Sequence, residues 1–298
     1  MKILNFGSLN IDYVYSVDHI VAESETISAA RLEKFCGGKG LNQSIALVRA
    51  GAKVFHAGMV GQEGTMLKDY LSDNGVDVSL IEYADTSSGS AIIQVDKKGQ
   101  NSIIIFGGAN REINEDYVEK VLKHFSSGDI LLVQNEISCL KFIMQKAHER
   151  GMRIALNPSP MEKIIKSLPL QYVEWFILNE VEGKEIAKKE SANEISNEIL
   201  LKYPESKVVL TLGKAGVFYK DKAIGFKNGI YEVKVVDTTA AGDTFTGYFL
   251  AAICKGLPVE KALENASIAS SIAVSRKGAA ASIPFLSEVD NSALKLLR

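Results

Sequence analysis

Residues 237–249 read DTTAAGDTFTGYF, in which three small residues precede the carboxylate of Asp243. Phe245, Phe249 and Ile253 then recur at helical spacing, so the sequence predicts that Asp243 lies in the first turn of a helix. The first N–H groups of a helix have no internal partners and favour negative charge, and small residues let an anion approach them. Asp243 could therefore cap the helix, or it could take a proton from a hydroxyl that attacks a phosphoryl group.

Upstream of this stretch, apolar strand candidates alternate with helix candidates. The strand candidates lie at 2–6, 53–60, 129–134, 153–156 and 175–178. Repeated strand–helix units predict an α/β fold, a mostly parallel sheet wrapped on both faces by helices. Towards the C terminus we expect two strands within 207–219, a strand over 230–236, helices at about 240–255 and 258–275, and a helical tail from 287.

Four segments interrupt this alternation because they look like strands without an intervening helix. They are 13–19, 26–36, 90–96 and 101–106, the last two joined by a turn that contains Gly99. We predict a small antiparallel sheet outside the main one, over about 12–36 and 88–107. It could serve as a lid, as a dimerisation edge, or as both.

Polar residues follow several predicted strands, and parallel strands place their carboxyl ends at one rim. Glu136, Asn157 and Asn179 each stand at such an end. Asn179 and Glu182 share a helix face, which would suit a hydrated Mg²⁺ or, equally, a capping box. The glycines of GGKG at 37–40 enter another helix, but the segment matches neither the P-loop nor the dinucleotide-binding pattern.

Composition excludes some classes of protein. Of the 298 residues, 46% are hydrophobic and 23% charged, with a formal net charge of −2, so we expect a soluble globular chain that binds neither nucleic acid nor membrane. The three cysteines form no CxxC motif, which argues against a disulfide framework and favours the cytoplasm. The N terminus lacks the long apolar stretch of a signal peptide.

Seven short motifs, spread over nearly the whole chain, together resemble one family. They are LNID at 9–12, GGKGLN at 37–42, LNPSP at 156–160, NEVE at 179–182, TLGKAG at 211–216, DTTAAGD at 237–243 and RKGAAAS at 276–282. With these motifs the chain resembles the ribokinase-like (PfkB) sugar kinases. The resemblance implies a three-layer sandwich, with one kinase domain over 1–298 into which the lid is inserted.

The resemblance also implies roles for individual residues. Asp243 would be the general base, and the backbone of Ala240, Ala241 and Gly242 would form an anion hole. Sugar binding is implied for Asn10, Ile11, Asp12, Gly38, Lys39, Gly40, Leu41, Asn42, Glu136 and Asp243. Nucleotide binding is implied for Asn179, Thr211, Leu212, Gly213, Lys214, Ala215, Gly216, Gly242, Asp243 and Ser267. Mg²⁺ would be held through water by Glu182, and K⁺ by Asp237, Thr239, Ala273, Arg276, Gly278 and Ser282.

The implied activity is transfer of the γ-phosphate of ATP to a primary hydroxyl, with D-ribose as the expected acceptor and a homodimer formed through the lid. The alternatives are another neutral sugar or a nucleoside as acceptor, or a sugar-binding regulator without turnover. Two positions depart from the family pattern. Ser267 stands where some members have an adenine-side histidine, and the lid loop reads AESET at 22–26, where a glycine usually precedes the glutamate.

Overall fold

The computed structural model describes residues 1–297. Its strands are β1 (Ile3–Phe6), β2 (Asn10–Ser16), β3 (Arg31–Gly37), β4 (Val54–Val60), β5 (Asp77–Tyr83), β6 (Gly89–Val95), β7 (Asn101–Phe106), β8 (Ile130–Gln134), β9 (Arg153–Asn157), β10 (Val173–Asn179), β11 (Lys207–Thr211), β12 (Val217–Lys220), β13 (Gly225–Asn228), β14 (Ile230–Tyr231) and β15 (Leu296–Leu297). Its helices are α1 (Lys39–Arg49), α2 (Thr65–Asp73), α3 (Glu115–Leu122), α4 (Leu140–Glu149), α5 (Glu180–Ala187), α6 (Ala192–Lys202), α7 (Ala241–Cys254), α8 (Val259–Val274) and α9 (Leu286–Asp290).

The largest sheet has nine strands in the order β13-β12-β11-β10-β9-β8-β1-β4-β5. Every pair from β11 to β5 is parallel, and only the pairs β11–β12 and β12–β13 at one edge are antiparallel. The predicted α/β fold with a mostly parallel sheet is therefore confirmed. The strand–turn–strand expected within 207–219 is the antiparallel pair β11–β12.

Helices cover both faces of this sheet, and two separate cores lie between sheet and helices. Side chains of one strand alternate between the cores: Ile3 belongs to the core under α1, α7 and α8, whereas Leu4 belongs to the core under α3 to α6. The same alternation places Asn5 and Gln134, both fully buried, on the α1 side of the sheet. The predicted three-layer arrangement follows from this two-sided burial.

The four strand candidates outside the main sheet form a second sheet in the order β3-β2-β6-β7. The β2–β3 and β6–β7 pairs are antiparallel, as expected, while β2 and β6 join the two hairpins in parallel. The connection from β2 to β3 includes Ser24, whose φ is 61°. Ser24 directly precedes Glu25, so a serine adopts here the left-handed conformation that favours the family's usual glycine.

Three local expectations were wrong. The strand expected over 230–236 is limited to β14, which pairs with β15. The tail from 287 is helical only as far as Asp290, because its end turns back to form that pair. The edge strand β5 was not anticipated. Across residues 1–297, no helix combines the length and the apolar character needed to cross a membrane.

Candidate active site

Polar residues from three neighbouring strands gather at one rim of the large sheet. Asn157, Asn179 and Thr211 are the last residues of β9, β10 and β11. All three line a cleft of about 230 Å³, together with Glu182 and the start of α7. Two of the strand ends that the sequence singled out, Asn157 and Asn179, therefore meet here, at the place where open α/β sheets bind ligands, whereas Glu136 does not line this cleft.

Asp243 lies in the first turn of α7, as predicted, and it lines this cleft although its side chain is 8% exposed. Its carboxylate does not cap the helix. Instead, Oδ1 accepts a hydrogen bond from Nε2 of Gln43 (2.8 Å) and Oδ2 accepts one from Nδ2 of Asn42 (3.1 Å). The geometry thus excludes the capping alternative and directs the acid towards the cleft and α1.

The start of α7 leaves backbone donors open. Ala240 precedes the helix with φ 58°, an uncommon conformation for a residue other than glycine. Within residues 1–297, no side chain caps this helix, so the N–H groups of Gly242 and Asp243 face the cleft without a helical partner. A Cβ at Gly242 would meet no atom within 4 Å, so the surrounding protein does not require glycine there. The bare backbone suits an anionic ligand.

Asn179 and Glu182 form the capping box that the sequence left as an alternative. Oδ1 of Asn179 accepts from the N–H of Glu182 (2.9 Å), and Oε2 of Glu182 accepts from the N–H of Asn179 (2.9 Å). Burial raises the pKa of the Glu182 carboxyl, and hydrogen bonds from Asn179 and Ser159 oppose that shift. Two hydrogen bonds from Asn179 and one from Ser159 leave the carboxylate one free lone pair, so the box does not preclude a water-mediated Mg²⁺.

Carboxylates and amides also lie at the positions that the resemblance assigns to sugar binding. Burial, reinforced by the nearby charge of Glu136, raises the pKa of Asp12 to about 7. Burial likewise raises the pKa of Glu136, whose Oε2 accepts from the Ser8 hydroxyl and from the N–H of Lys39 (3.1 Å). Asn10 is oriented by Nδ2 of Asn110, which donates to its Oδ1 (2.8 Å).

Lys39 lies among three carboxylates. Burial disfavours its charge, but Asp243, Glu136 and Glu182 outweigh that effect and raise its pKa. Since the side chain lines the cleft beside Gly242, its ammonium group is placed to meet a negative ligand as well as a sugar.

The glycine motif brings α1 close to the end of β1. Gly38 has φ 95°, and a Cβ at Gly40 would lie 2.5 Å from the carbonyl carbon of Gly7. Two of the positions assigned to sugar binding, Ile11 and Leu41, are buried in the hydrophobic core and do not line the cleft.

A second cavity of about 160 Å³ adjoins the first and shares Thr211, Ala241 and Gly242 with it. Gly213, Gly216 and Ser267 also line it, as expected for nucleotide-binding positions. Leu212, Lys214 and Ala215 belong to the same turn but are not among its lining residues. The hydroxyl of Ser267 accepts from Nδ2 of Asn228 (3.2 Å), a residue that sequence analysis missed.

Three of the residues assigned to K⁺, Asp237, Thr239 and Gly278, are joined by hydrogen bonds just before α7. Asp237 Oδ1 accepts from the N–H (2.9 Å) and hydroxyl (2.7 Å) of Thr239, and its Oδ2 accepts from the N–H of Gly278 (3.0 Å). Ala273 and Ser282, which stand on either side of Gly278 in the sequence, are both buried. The side chain of Arg276 instead pairs with Glu288 at 2.5 Å, so only its backbone could serve a cation.

Sequence analysis missed several residues that hold the predicted ones. Ser8, Gln43 and Asn110 are buried polar side chains that contact Glu136, Asp243 and Asn10 respectively. A signal was available for Gln43, because Asn42, Gln43 and Ser44 interrupt an otherwise apolar helix. Such polar residues in a buried helix require partners.

Comparison with known proteins agrees with this geometry. The sequence profile described as "pfkB family carbohydrate kinase" matches residues 1–286. The chain is 34% identical to a ribokinase of Haemophilus influenzae over 288 residues, covering 93% of this chain and 94% of the relative. It is 33% identical to a ribokinase of Bacillus subtilis, covering 95% and 96% of the two chains.

Solved structures show the same similarity. A ribokinase of Thermotoga maritima superposes with a TM-score of 0.87 at 31% identity, covering 97% of this chain and 98% of the other. A ribokinase of Arabidopsis thaliana, solved with ribose and ATP, gives a TM-score of 0.86 at 28% identity, covering 97% and 96%. The chain belongs to the pfkB family of carbohydrate kinases.

Proposed function

We propose that this chain is an ATP-dependent ribose kinase that forms D-ribose 5-phosphate. The observation that carries the proposal is the position of Asp243. Its carboxylate is buried at the start of α7, beside open backbone N–H groups, in a polar cleft that shares Gly242 with the second cavity. Similarity to ribokinases, one of them solved with ribose and ATP, supports ribose as the acceptor.

In the proposed step, Asp243 takes the proton of the sugar's primary hydroxyl as that oxygen forms a bond to the γ-phosphorus. The bond from this phosphorus to the bridging oxygen breaks, and ADP leaves with the electron pair. The N–H groups of Gly242 and Asp243, with the ammonium of Lys39, stabilise the negative charge on the transferred group.

The sugar lies between the two sheets in this proposal. Asn10, Asp12 and Glu136 would accept or donate hydrogen bonds to its hydroxyls. Asn42, whose Nδ2 donates to Oδ2 of Asp243, would lie beside this hydroxyl-binding group. Another neutral sugar or a nucleoside remains the alternative acceptor.

ATP would occupy the second cavity with its phosphates at the start of α7. Oxygen donors at Glu182 and Asn179 suit a Mg²⁺ that keeps its waters, and the metal would supply charge neutralisation to the phosphates. The carboxylate of Asp237 and the nearby backbone carbonyls suit K⁺, which would order the loop before Ala240.

The small sheet would close over the sugar and pair with a second copy of the chain. The sheet exposes apolar side chains on both of its faces: Leu32, Phe35, Ile92, Ile103, Ile104, Ile105 and Phe106. Consecutive exposed apolar residues on the edge strand β7 favour a covered interface. Sedimentation should give a dimer, and Ile104→Lys should give a monomer; a wild-type monomer at every concentration contradicts this.

The cytoplasm remains the proposed location. Cys36, Cys139 and Cys254 all carry free thiols, which suits a reducing compartment. Cell fractionation tests it, and recovery only from an oxidising compartment would contradict it.

The activity is tested with a panel of neutral sugars and nucleosides, using ATP and Mg²⁺ in K⁺ or Na⁺ buffer and measuring ADP. Ribose should be turned over fastest. Asp243→Asn should retain ATP binding and lose about 10²–10⁴-fold in kcat, the usual contribution of a general base. Inert ribose alongside another active acceptor overturns the substrate, and near-normal turnover by Asp243→Asn overturns the mechanism.

A further inference from the structure

A chain of buried side-chain amides lies beneath Asp243. Nε2 of Gln43 donates to Oδ1 of Asp243 (2.8 Å) and to Oδ1 of Asn157 (3.0 Å). Oε1 of Gln43 accepts from Nε2 of Gln134 (2.7 Å). Gln43 and Gln134 are both fully buried, so water does not replace these partners.

Two backbone carbonyls fix the direction of this chain, because a carbonyl can only accept. At one end, Nδ2 of Asn5 donates to the carbonyl of Gly40 (2.7 Å), which turns Oδ1 of Asn5 towards Nε2 of Gln134 (2.9 Å). At the other end, Nδ2 of Asn157 donates to the carbonyl of Ile177 (3.0 Å). Its Oδ1 must then face Gln43.

The orientation of Gln43 follows from these anchors. Its oxygen meets a donor, and its nitrogen meets two oxygens. A flipped amide would place an oxygen against the carboxylate of Asp243 and a second nitrogen against Gln134. Nε2 of Gln134 faces two acceptor oxygens, Oδ1 of Asn5 and Oε1 of Gln43, so Gln134 itself keeps its nitrogen on this side.

We propose that Gln43 is a positioning residue for Asp243, and that the donor amide of Gln134 sets the orientation in which Gln43 holds it. This inference rests on the proposed function, since it assigns to Asp243 the role of general base. Gln43 itself touches neither sugar nor nucleotide, because its side chain has no exposed surface. It acts through the carboxylate alone.

Gln43→Met tests the contact, because methionine keeps the shape and removes the donor. kcat should fall about 10- to 100-fold, since a misplaced base forfeits part of the ~10²–10⁴-fold that general-base catalysis contributes. KM for ribose and for ATP should remain close to wild type. An unchanged kcat in a folded Gln43→Met enzyme overturns the proposal.

A pair of substitutions at Gln134 separates orientation from packing. Gln134→Met removes a donor but leaves Asp243 and Asn157 to hold the nitrogen of Gln43, so kcat should change little. Gln134→Glu substitutes an acceptor of the same shape, which attracts that nitrogen away from Asp243, so kcat should fall well below that of Gln134→Met. Equal kcat values for the two variants overturn the proposed directionality.

Tyr117→Phe is the control for lost buried hydrogen bonds. Its hydroxyl contacts backbone groups of Gly58 and Leu80 in the core on the other face of the sheet. This variant should lower the melting temperature and leave kcat unchanged. If Asp243→Asn is active, the proposed function fails; if Asp243→Asn is inactive but Gln43→Met is fully active, only this inference fails.

Discussion

Gly247 lies in the middle of α7, where this helix packs against α1. A Cβ at this position would come closer than 3.0 Å to three atoms of α1, including the amide nitrogen of Leu47 (2.8 Å) and the carbonyl carbon of Ala46 (2.9 Å). Backbone atoms cannot move aside as a side chain can. Gly247→Ala therefore must separate the two helices.

The expected loss of stability is the difference between two effects. Alanine is the better helix former by about 1 kcal/mol, whereas overpacking a close contact costs about 1–3 kcal/mol. Because the contact involves backbone, we take the upper half of that range and expect a net loss of about 1–2 kcal/mol. For a chain of this length the melting temperature should fall by roughly 2–3 °C.

The same displacement should reduce activity, because Asn42 and Gln43 on α1 hold Asp243 on α7. A shift of these contacts should lower kcat by about tenfold, as misplacing a catalytic group does. Urea unfolding and steady-state kinetics on one preparation measure both effects. The stability loss and the kcat loss share one cause, so they should appear together.

Gly183→Ala in α5 is the matched control for stability. Its Cβ would also be close, 2.8 Å from Cδ1 of Leu210 and 3.0 Å from Cγ2 of Ile195, but these are ends of side chains that can rotate. It should cost less than Gly247→Ala, and adding Ala46→Gly should partly restore the latter. If Gly247→Ala matches wild type in both stability and kcat, the reasoning is refuted.

The remaining predictions concern pH and one strained residue. Burial lowers the pKa of His56 to about 4 in the folded chain. The unfolded chain therefore binds this proton more readily, and the free energy of unfolding should fall by about 3 kcal/mol from pH 6.5 to 4. His56→Asn should remove this pH dependence in urea titrations, and an unchanged pH dependence contradicts the prediction. The pKa of Asp12 is raised to about 7, and its ionised carboxylate offers acceptors to sugar hydroxyls. KM for ribose should therefore fall as the pH rises from about 6 to 8, and Asp12→Asn should abolish this dependence. A wild-type KM that does not change with pH rejects the prediction. Ser24→Gly should raise the unfolding free energy by up to about 1 kcal/mol because it relieves a left-handed serine; a lower melting temperature would be the opposite result.

Features encoded locally could be predicted from the sequence. The strand and helix periods around β8, β9 and β10, and the small residues before Asp243, each depend on a few neighbouring residues. The spacing of apolar residues shows whether one face or both faces of a strand or helix are buried. This burial pattern predicts the layer arrangement without any information on distant contacts. The polar strand ends then converge because parallel strands share a direction.

Features that depend on distant pairing could not be predicted in the same way. The strand β14 exists because Ile230 and Tyr231 meet Leu297 and Leu296. The segment 230–236 is apolar enough to suggest a strand, but within residues 1–297 the strand covers only Ile230 and Tyr231, followed by one backbone hydrogen bond from Glu232 to Lys295. The parallel contact between β2 and β6 likewise depends on how two hairpins meet. Local propensity is a weak guide where tertiary pairing decides.

The polar residues of α1 show why the site was predicted less completely than the fold. An apolar helix could fill this space, and a buried polar side chain is tolerated only where it finds partners. Gln43 finds them 200 and 91 residues away, at Asp243 and Gln134. The same helix begins at Lys39, within the glycine motif to which the resemblance assigns sugar binding. One helix therefore joins this motif to the carboxylate of Asp243. In the proposed function, the polar residues that lower the hydrophobicity of α1 are therefore the ones that would tie the position of the substrate to the geometry of Asp243.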